Sequence, residues 1–194
     1  MGLRVFEEAC RQIAQWTREG TSPLSVAVNV SSQQLREEGF PDKLLLITRK
    51  QGVLPSMIEL EVTESDVMRD VDRAVESLQR LRRLGFKIAL DDFGTGYSSM
   101  AYLQKLPLDT LKLDRSFVQN LGSDRSSEAI CEAILALAHS VNLFTVAEGV
   151  ETEAQRQFLA AKGCDAMQGY LFSPPVPPSE LDAVRRLACP VTPE

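Results

Sequence analysis

Asp91 and Asp92 stand side by side after an apolar run at 86–90 and before Phe93-Gly94-Thr95-Gly96-Tyr97-Ser98-Ser99. Adjacent like charges repel, and a carboxylate taken out of water without a counter-charge is heavily penalised. A divalent cation supplies that counter-charge, and hard ions such as Mg2+ favour oxygen ligands. One of two adjacent carboxylates can also bridge two ions while the other serves the second. Taken alone, the run reads equally well as a surface turn, since Asp and Gly are common turn residues. The rest of the chain decides between the two.

The elements that must position this pair follow from hydrophobic spacing. Strand-like segments fall at 24–30, 57–62, 86–90, 110–114, 143–147 and 165–169. Helical spacing predicts helices over about 3–18, 41–50, 70–84, 98–105, 126–141, 152–162 and 179–187. Ser31 or Ser32 fits the N-cap of a further short helix through Leu35. Strands alternating with helices imply a parallel sheet wrapped by helices. Strands apolar nearly throughout imply that both faces are covered. In a parallel barrel, active sites form at the C-terminal ends of the strands. Asn29, Glu61, Asp91 with Asp92, Lys112, Glu148 and Gln168 all stand at such ends. Singly, each has a plainer account: Asn29 as a turn former, Glu61 and Glu64 as solvated charges, Lys112 as the partner of Asp114. Recurrence at one structural point in six consecutive units is hard to assign to accident, and so many carboxylates at one rim require cations.

Composition narrows the partners. The 194 residues suffice for one domain with a full core. A formal net charge of -6 leaves no broad basic surface for DNA or RNA, but a small nucleotide held through metal ions stays open. Cys10, Cys131, Cys164 and Cys189 are scattered without a C-x-x-C pair, which argues against zinc or redox chemistry and for reduced thiols in a cytoplasmic setting. No apolar run approaches the roughly 18 residues of a membrane helix, although a longer parent could be membrane-anchored. His139 is the only histidine and reads as structural; Trp16 reads as core or interface. Gly94-Thr95-Gly96 lacks the third glycine of a dinucleotide fingerprint, and there is no P-loop motif.

Six segments together are similar to the EAL domain family of bacterial cyclic-di-GMP phosphodiesterases. They are Asn29-Val30-Ser31-Ser32-Gln33-Gln34-Leu35, Glu61-Val62-Thr63-Glu64-Ser65, Asp91-Asp92-Phe93-Gly94-Thr95-Gly96-Tyr97-Ser98-Ser99, Leu111-Lys112-Leu113-Asp114-Arg115-Ser116-Phe117, Val146-Ala147-Glu148-Gly149-Val150-Glu151 and Gln168-Gly169-Tyr170-Leu171-Phe172. They occur in the family's order, and the resemblance runs from residue 1 to 188. It implies an α/β fold, a TIM-like (β/α) barrel of the EAL type with about six parallel strands present here, in a single domain over 1–194. It also implies hydrolysis of cyclic-di-GMP to linear pGpG with Mg2+ or Mn2+ in a two-metal site. Carried over residue by residue, Asn29, Glu61 and Asp91 match ligands of the first metal, and Asp91 and Asp92 match ligands of the second. Lys112 matches the residue that orients the attacking water. Glu148 matches the general base or second-metal ligand, Gln168 the last active-site amide, and Glu64 the residue that steadies the acidic loop.

The resemblance also exposes a departure. The family's Glu-Ala-Leu segment, which supplies one metal ligand, and its first two barrel strands have no counterpart before the helix at 3–18. The expectation is a fragment of a longer protein or a naturally shortened one, with a catalytic parent and poor or no activity in this chain alone. Sensor or GGDEF-type domains in a longer parent, and a homodimer formed near the acidic loop, are expectations of the resemblance only. A non-catalytic cyclic-di-GMP receptor or docking domain is the main alternative. An enolase-type barrel shares strand-end carboxylates, Mg2+ and a lysine base, but the tandem Asp pair before Phe-Gly-Thr-Gly fits it poorly.

Overall fold

A computed structural model describes residues 2–20, 25–94, 103–181 and 183–184. Helix α1 (Gly2–Arg18) buries Phe6, Cys10 and Ile13, which lie at three- and four-residue spacing on one face. It packs on β1 (Val26–Asn29) and on α3 (Phe40–Gln51), and Phe6 meets Phe86 edge to face with ring centroids 6.1 Å apart. Between β1 and α3 the short helix α2 (Ser32–Leu35) is held by a capping box: Ser31 Oγ accepts from the Gln34 amide while the Gln34 side chain accepts from the Ser31 amide.

Strand β2 (Ile58–Thr63) runs into α4 (Glu64–Met68), capped by Thr63, and then α5 (Val71–Arg83). Strand β3 (Lys87–Phe93) precedes β4 (Thr110–Leu113), α6 (Arg115–Val118) and α7 (Arg125–Ser140). Strand β5 (Phe144–Ala147), α8 (Glu153–Ala161) and β6 (Ala166–Met167) complete the sheet, and a 3-10 turn follows at Pro178–Glu180. Residues 98–102 of the predicted helix at 98–105, the acidic segment from Thr95 onward, Leu24 and residues 182 and 185–187 of the helix predicted at 179–187 lie outside the described residues.

All six strands are parallel, and each pairs with its neighbours in chain order, β1-β2-β3-β4-β5-β6. A sheet wound in one direction with a helix after nearly every strand curls into half a barrel, as the alternating pattern predicts. Strands β1 and β6 are its two edges among the described residues.

Both faces of the sheet are covered, as expected, but they differ in kind: Thr110, Glu61 and Lys112 on the inner face are also buried. Leu60, Val62, Ile88, Leu90, Leu111 and Leu113 face the helices and are at most 2% exposed. Each such side chain contributes about 1.5–3 kcal/mol through its removal from water. The inner face alternates with them and is polar. There the Thr110 hydroxyl donates to Glu59 Oε1 at 2.5 Å, and one step further along the same strands lie Glu61 and Lys112.

Candidate functional site

Lys112 is the hub of the rim. Its ammonium lies 2.5 Å from Glu148 Oε1, 2.6 Å from Glu61 Oε1 and 3.4 Å from Asp91 Oδ1. Both Lys112 and Glu61 are 7% exposed. Burial alone would lower the pKa of a lysine, but the bonds from Glu148 and Glu61 outweigh it and hold Lys112 above its ordinary range. Glu61 is pushed up, first by burial and then by Asp91 and Glu148; Lys112 offsets this only in part. Three carboxylates thus share one ammonium, and the rim carries excess negative charge.

The strands place each group by register. Glu61 sits opposite Asn29 on one side and Ala89 on the other. Asn29 is therefore level with the cluster; it is exposed, and its side chain makes no hydrogen bond among the described residues. The acidic pair lies inside β3, not in a turn after it: Asp91 is level with Thr63, and the β3–β4 register is irregular between Leu90 and Phe93. Asp92 takes the left-handed conformation (φ 55°), and its amide donates to Asp91 Oδ1 at 3.0 Å. Burial, Asp91 and Asp114 all raise the Asp92 pKa.

Glu64, the first residue of α4, stands apart from the lysine cluster. It is 2% exposed and lies against a small apolar hollow lined by Val67, Leu90, Phe93 and Leu106. Its Oε2 accepts from the Gly94 amide at 3.1 Å and braces the exit of β3. Glu148 follows β5, and its amide donates to the Leu113 carbonyl at 3.1 Å. Its Oε1 also accepts from Gln168 Nε2 at 2.8 Å, which brings the exposed amide beyond β6 to the cluster. The chain at 148–151 pairs with 168–171 through Val150 N–Gln168 O and Leu171 N–Val150 O, each 3.0 Å. A Cβ at Gly169 would sit 2.2 Å from the Val150 carbonyl, so this approach requires glycine.

Lys112 is not the partner of Asp114, whose carboxylate caps α6 through the Ser116 amide at 2.9 Å. The sequence reading also missed an ion pair between Arg115 and Glu151, 2.6 Å. Its signal was available: each residue lies three places beyond a rim residue, Lys112 and Glu148.

No three Asp, Glu, His or Cys side chains among the described residues enclose an ion by themselves. The chemistry of the donors nonetheless fits a hard divalent cation. Glu61, Asp91 and Glu148 outnumber the ammonium they surround, and all are oxygen donors. Asn29, water and the oxygens of a ligand would complete the coordination.

Six sequential parallel strands in a half-barrel, with an acidic, lysine-centred cluster at their C-terminal ends, define a (β/α)-barrel domain. The chain belongs to the EAL domain family, whose sequence model matches residues 1–175. It is 44% identical over 181 residues to the bifunctional diguanylate cyclase/cyclic di-GMP phosphodiesterase MucR of Pseudomonas aeruginosa, a stretch that is 93% of this chain and 26% of MucR. The chain thus spans about a quarter of the length of the curated relatives it matches. The structure of the MucR phosphodiesterase with c-di-GMP superposes with a TM-score of 0.87 at 45% identity, over 91% of this chain and 72% of that one. The EAL domain of Mycobacterium smegmatis DcpA gives 0.89 at 39% identity, over 95% and 83%. Klebsiella pneumoniae BlrP1, solved with manganese and c-di-GMP, gives 0.78 at 28% identity, over 89% and 44%. No helix among the described residues is long and apolar enough to cross a membrane.

Proposed function

We propose that the chain is a metal-dependent phosphodiesterase domain, residues 1–194, that opens cyclic-di-GMP to linear pGpG. One observation carries the reading: Lys112 is held among Glu61, Asp91 and Glu148 at the strand ends, in a chain 45% identical to a phosphodiesterase solved with that dinucleotide. Asn29, Glu61 and Asp91 would hold one ion, and Asp91, Asp92 and Glu148 a second. When bound, Mg2+ or Mn2+ would supply positive charge to the phosphoryl oxygens and acidify water.

The chain's own residues do the rest. Lys112 stays charged and donates to the attacking water or to a phosphoryl oxygen, where fixed positive charge favours the transition state. Glu148 lies beside Lys112 and Gln168 and accepts the proton that the water loses. Gln168, exposed on its free side, offers its amide to the substrate. Glu64 fixes Gly94 and thereby the direction of Asp91 and Asp92. A cytoplasmic setting, a homodimer and, were the chain part of a longer protein, sensor or GGDEF-type domains belong to the same reading.

The test is incubation of the chain with cyclic-di-GMP and Mg2+ or Mn2+, followed by chromatography of the product. Linear pGpG that forms only with metal, however slowly, and stops on chelation, is the expected result. Tight metal-free binding without turnover would favour the receptor alternative.

A further inference from the structure

The exit of β5 is joined to the exit of β4 by the Glu148 amide on the Leu113 carbonyl, 3.1 Å, and by two side-chain grips. Lys112 takes the first, at Glu148, but it also binds Glu61 and Asp91. The Glu148 carboxylate is held by that shared contact and by the exposed Gln168 amide, 2.8 Å, so its direction still depends on the course of the chain that follows it. The second grip lies three residues on. Arg115 Nη2 donates to Glu151 Oε1 at 2.6 Å. The stem of Arg115 lies flat over Gly149, whose φ is +70°; a Cβ there would sit 2.4 Å from Arg115 Cγ and 2.9 Å from its Cβ and Cδ. The guanidinium and the stem therefore hold two consecutive parts of the chain beyond Glu148.

Both sides of this clamp are anchored. The Glu151 and Thr152 amides donate to Gln155 Oε1 at 2.8 and 2.9 Å, and Gln155 is 5% exposed. Gln155 Nε2 in turn donates to the Gln119 carbonyl at 3.4 Å, tying α8 to the end of the helix that carries Arg115. Asp114 caps that helix at its start.

We infer that Arg115 is a positioning residue for Glu148, acting through Gly149 and Glu151. This rests on the reading of Glu148 given above. A purely structural role predicts little effect, because the pair is about half exposed (58% and 43%) and such pairs add little stability. A positioning role predicts a large effect on chemistry, since a misplacement of about 1 Å can slow a reaction by about 100-fold.

The experiment compares Arg115→Ala, Arg115→Lys, Glu151→Gln and Lys112→Met with the unaltered 194-residue chain, measuring Mn2+-dependent hydrolysis, melting temperature and amide hydrogen exchange at 149–151. Arg115→Ala is expected to lower kcat by about 10-fold or more, to leave KM within about two-fold, and to shift Tm by less than about 3 °C. Exchange should quicken at 149–151. Arg115→Lys should recover part of kcat, because its stem still covers Gly149 while its single ammonium replaces the fork. If Arg115→Ala keeps full kcat while Lys112→Met abolishes it, the inference is overturned and the phosphodiesterase reading stands. If the unaltered chain hydrolyses nothing, the phosphodiesterase reading falls for this chain alone. The exchange rates then decide alone: acceleration confined to 149–151 supports the clamp, and unchanged rates overturn it.

Discussion

The two ends of the sheet treat carboxylates in opposite ways. At the N-terminal end, Asp109 and Asp165 each stand immediately before a strand and reach back to the second residue of a neighbouring one. Asp109 Oδ2 accepts from the Ile88 amide at 3.0 Å, and its Oδ1 accepts from Arg82 at 2.9 Å. Asp165 Oδ2 accepts from the Thr145 amide and hydroxyl at 2.8 and 2.7 Å, with His139 3.4 Å away. Burial opposes the Asp165 charge, yet the bonds from Thr145 and His139 hold its pKa below the ordinary aspartate range. At the C-terminal end the acids crowd one another, and Glu61 and Asp92 are raised. One end is satisfied within the chain; the other is left wanting positive charge. Crowded acids at one end and satisfied acids at the other are the contrast on which the proposed function rests.

Substitutions at the two ends should therefore part company. Lys112→Met is expected to have the largest effect: hydrolysis lost, and about 3–5 kcal/mol of stability lost because buried carboxylates are left without their cation. Assay and urea unfolding check it; a variant as stable as the unaltered chain would show that the cluster is better hydrated than its burial indicates. Glu61→Gln should separate the two properties. Turnover should fall by about 100-fold or more, as expected for loss of a ligand to catalytic charge, while stability at neutral pH holds or rises. The sign follows from linkage: a carboxylate raised in the folded state contributes stability below its ordinary pKa and loses it as pH rises through the raised value.

Asp165→Ala should do the reverse. It leaves the buried Thr145 amide and hydroxyl hydrogens without their acceptor, although the hydroxyl oxygen still accepts from the amide of residue 165, for a loss of about 1–3 kcal/mol, with kcat unchanged. Because the Asp165 pKa is lowered, its contribution is present above the ordinary aspartate value of about 3.9 and lost as pH falls through the depressed one. The stability gap between this variant and the unaltered chain should shrink in acid; a gap independent of pH would mean that the charge of Asp165 is not what matters.

Most of this architecture was legible in the sequence. The long helices and the strands carried clear periods, and the rim residues recurred at strand ends. Glu61, Asp91, Lys112 and Glu148 do meet, as their position at strand ends led one to expect. Three things were not legible. Helices α4 and α6 span five and four residues, too short for a period to register, although their caps, Thr63 and Asp114, were visible types. The extension of β3 through Asp91 and Asp92 was hidden because strand propensity disfavours aspartate, and neighbouring strands override it here. The role of Lys112 as hub was hidden because register, not spacing, brings β2, β4 and the exit of β5 to one point. Asp109 and Asp165 left a trace that went unread: an aspartate directly before a strand, twice.

Calorimetric titration of Mn2+ into the unaltered chain, Asp91→Asn and Asp165→Asn is the most direct test of the contrast between the two ends. Binding should survive in Asp165→Asn and fall by about ten-fold or more in Asp91→Asn, in line with the loss of a coordinating carboxylate. Equal affinity in all three, or loss with Asp165→Asn, would contradict the claim that the crowded rim takes up the cation.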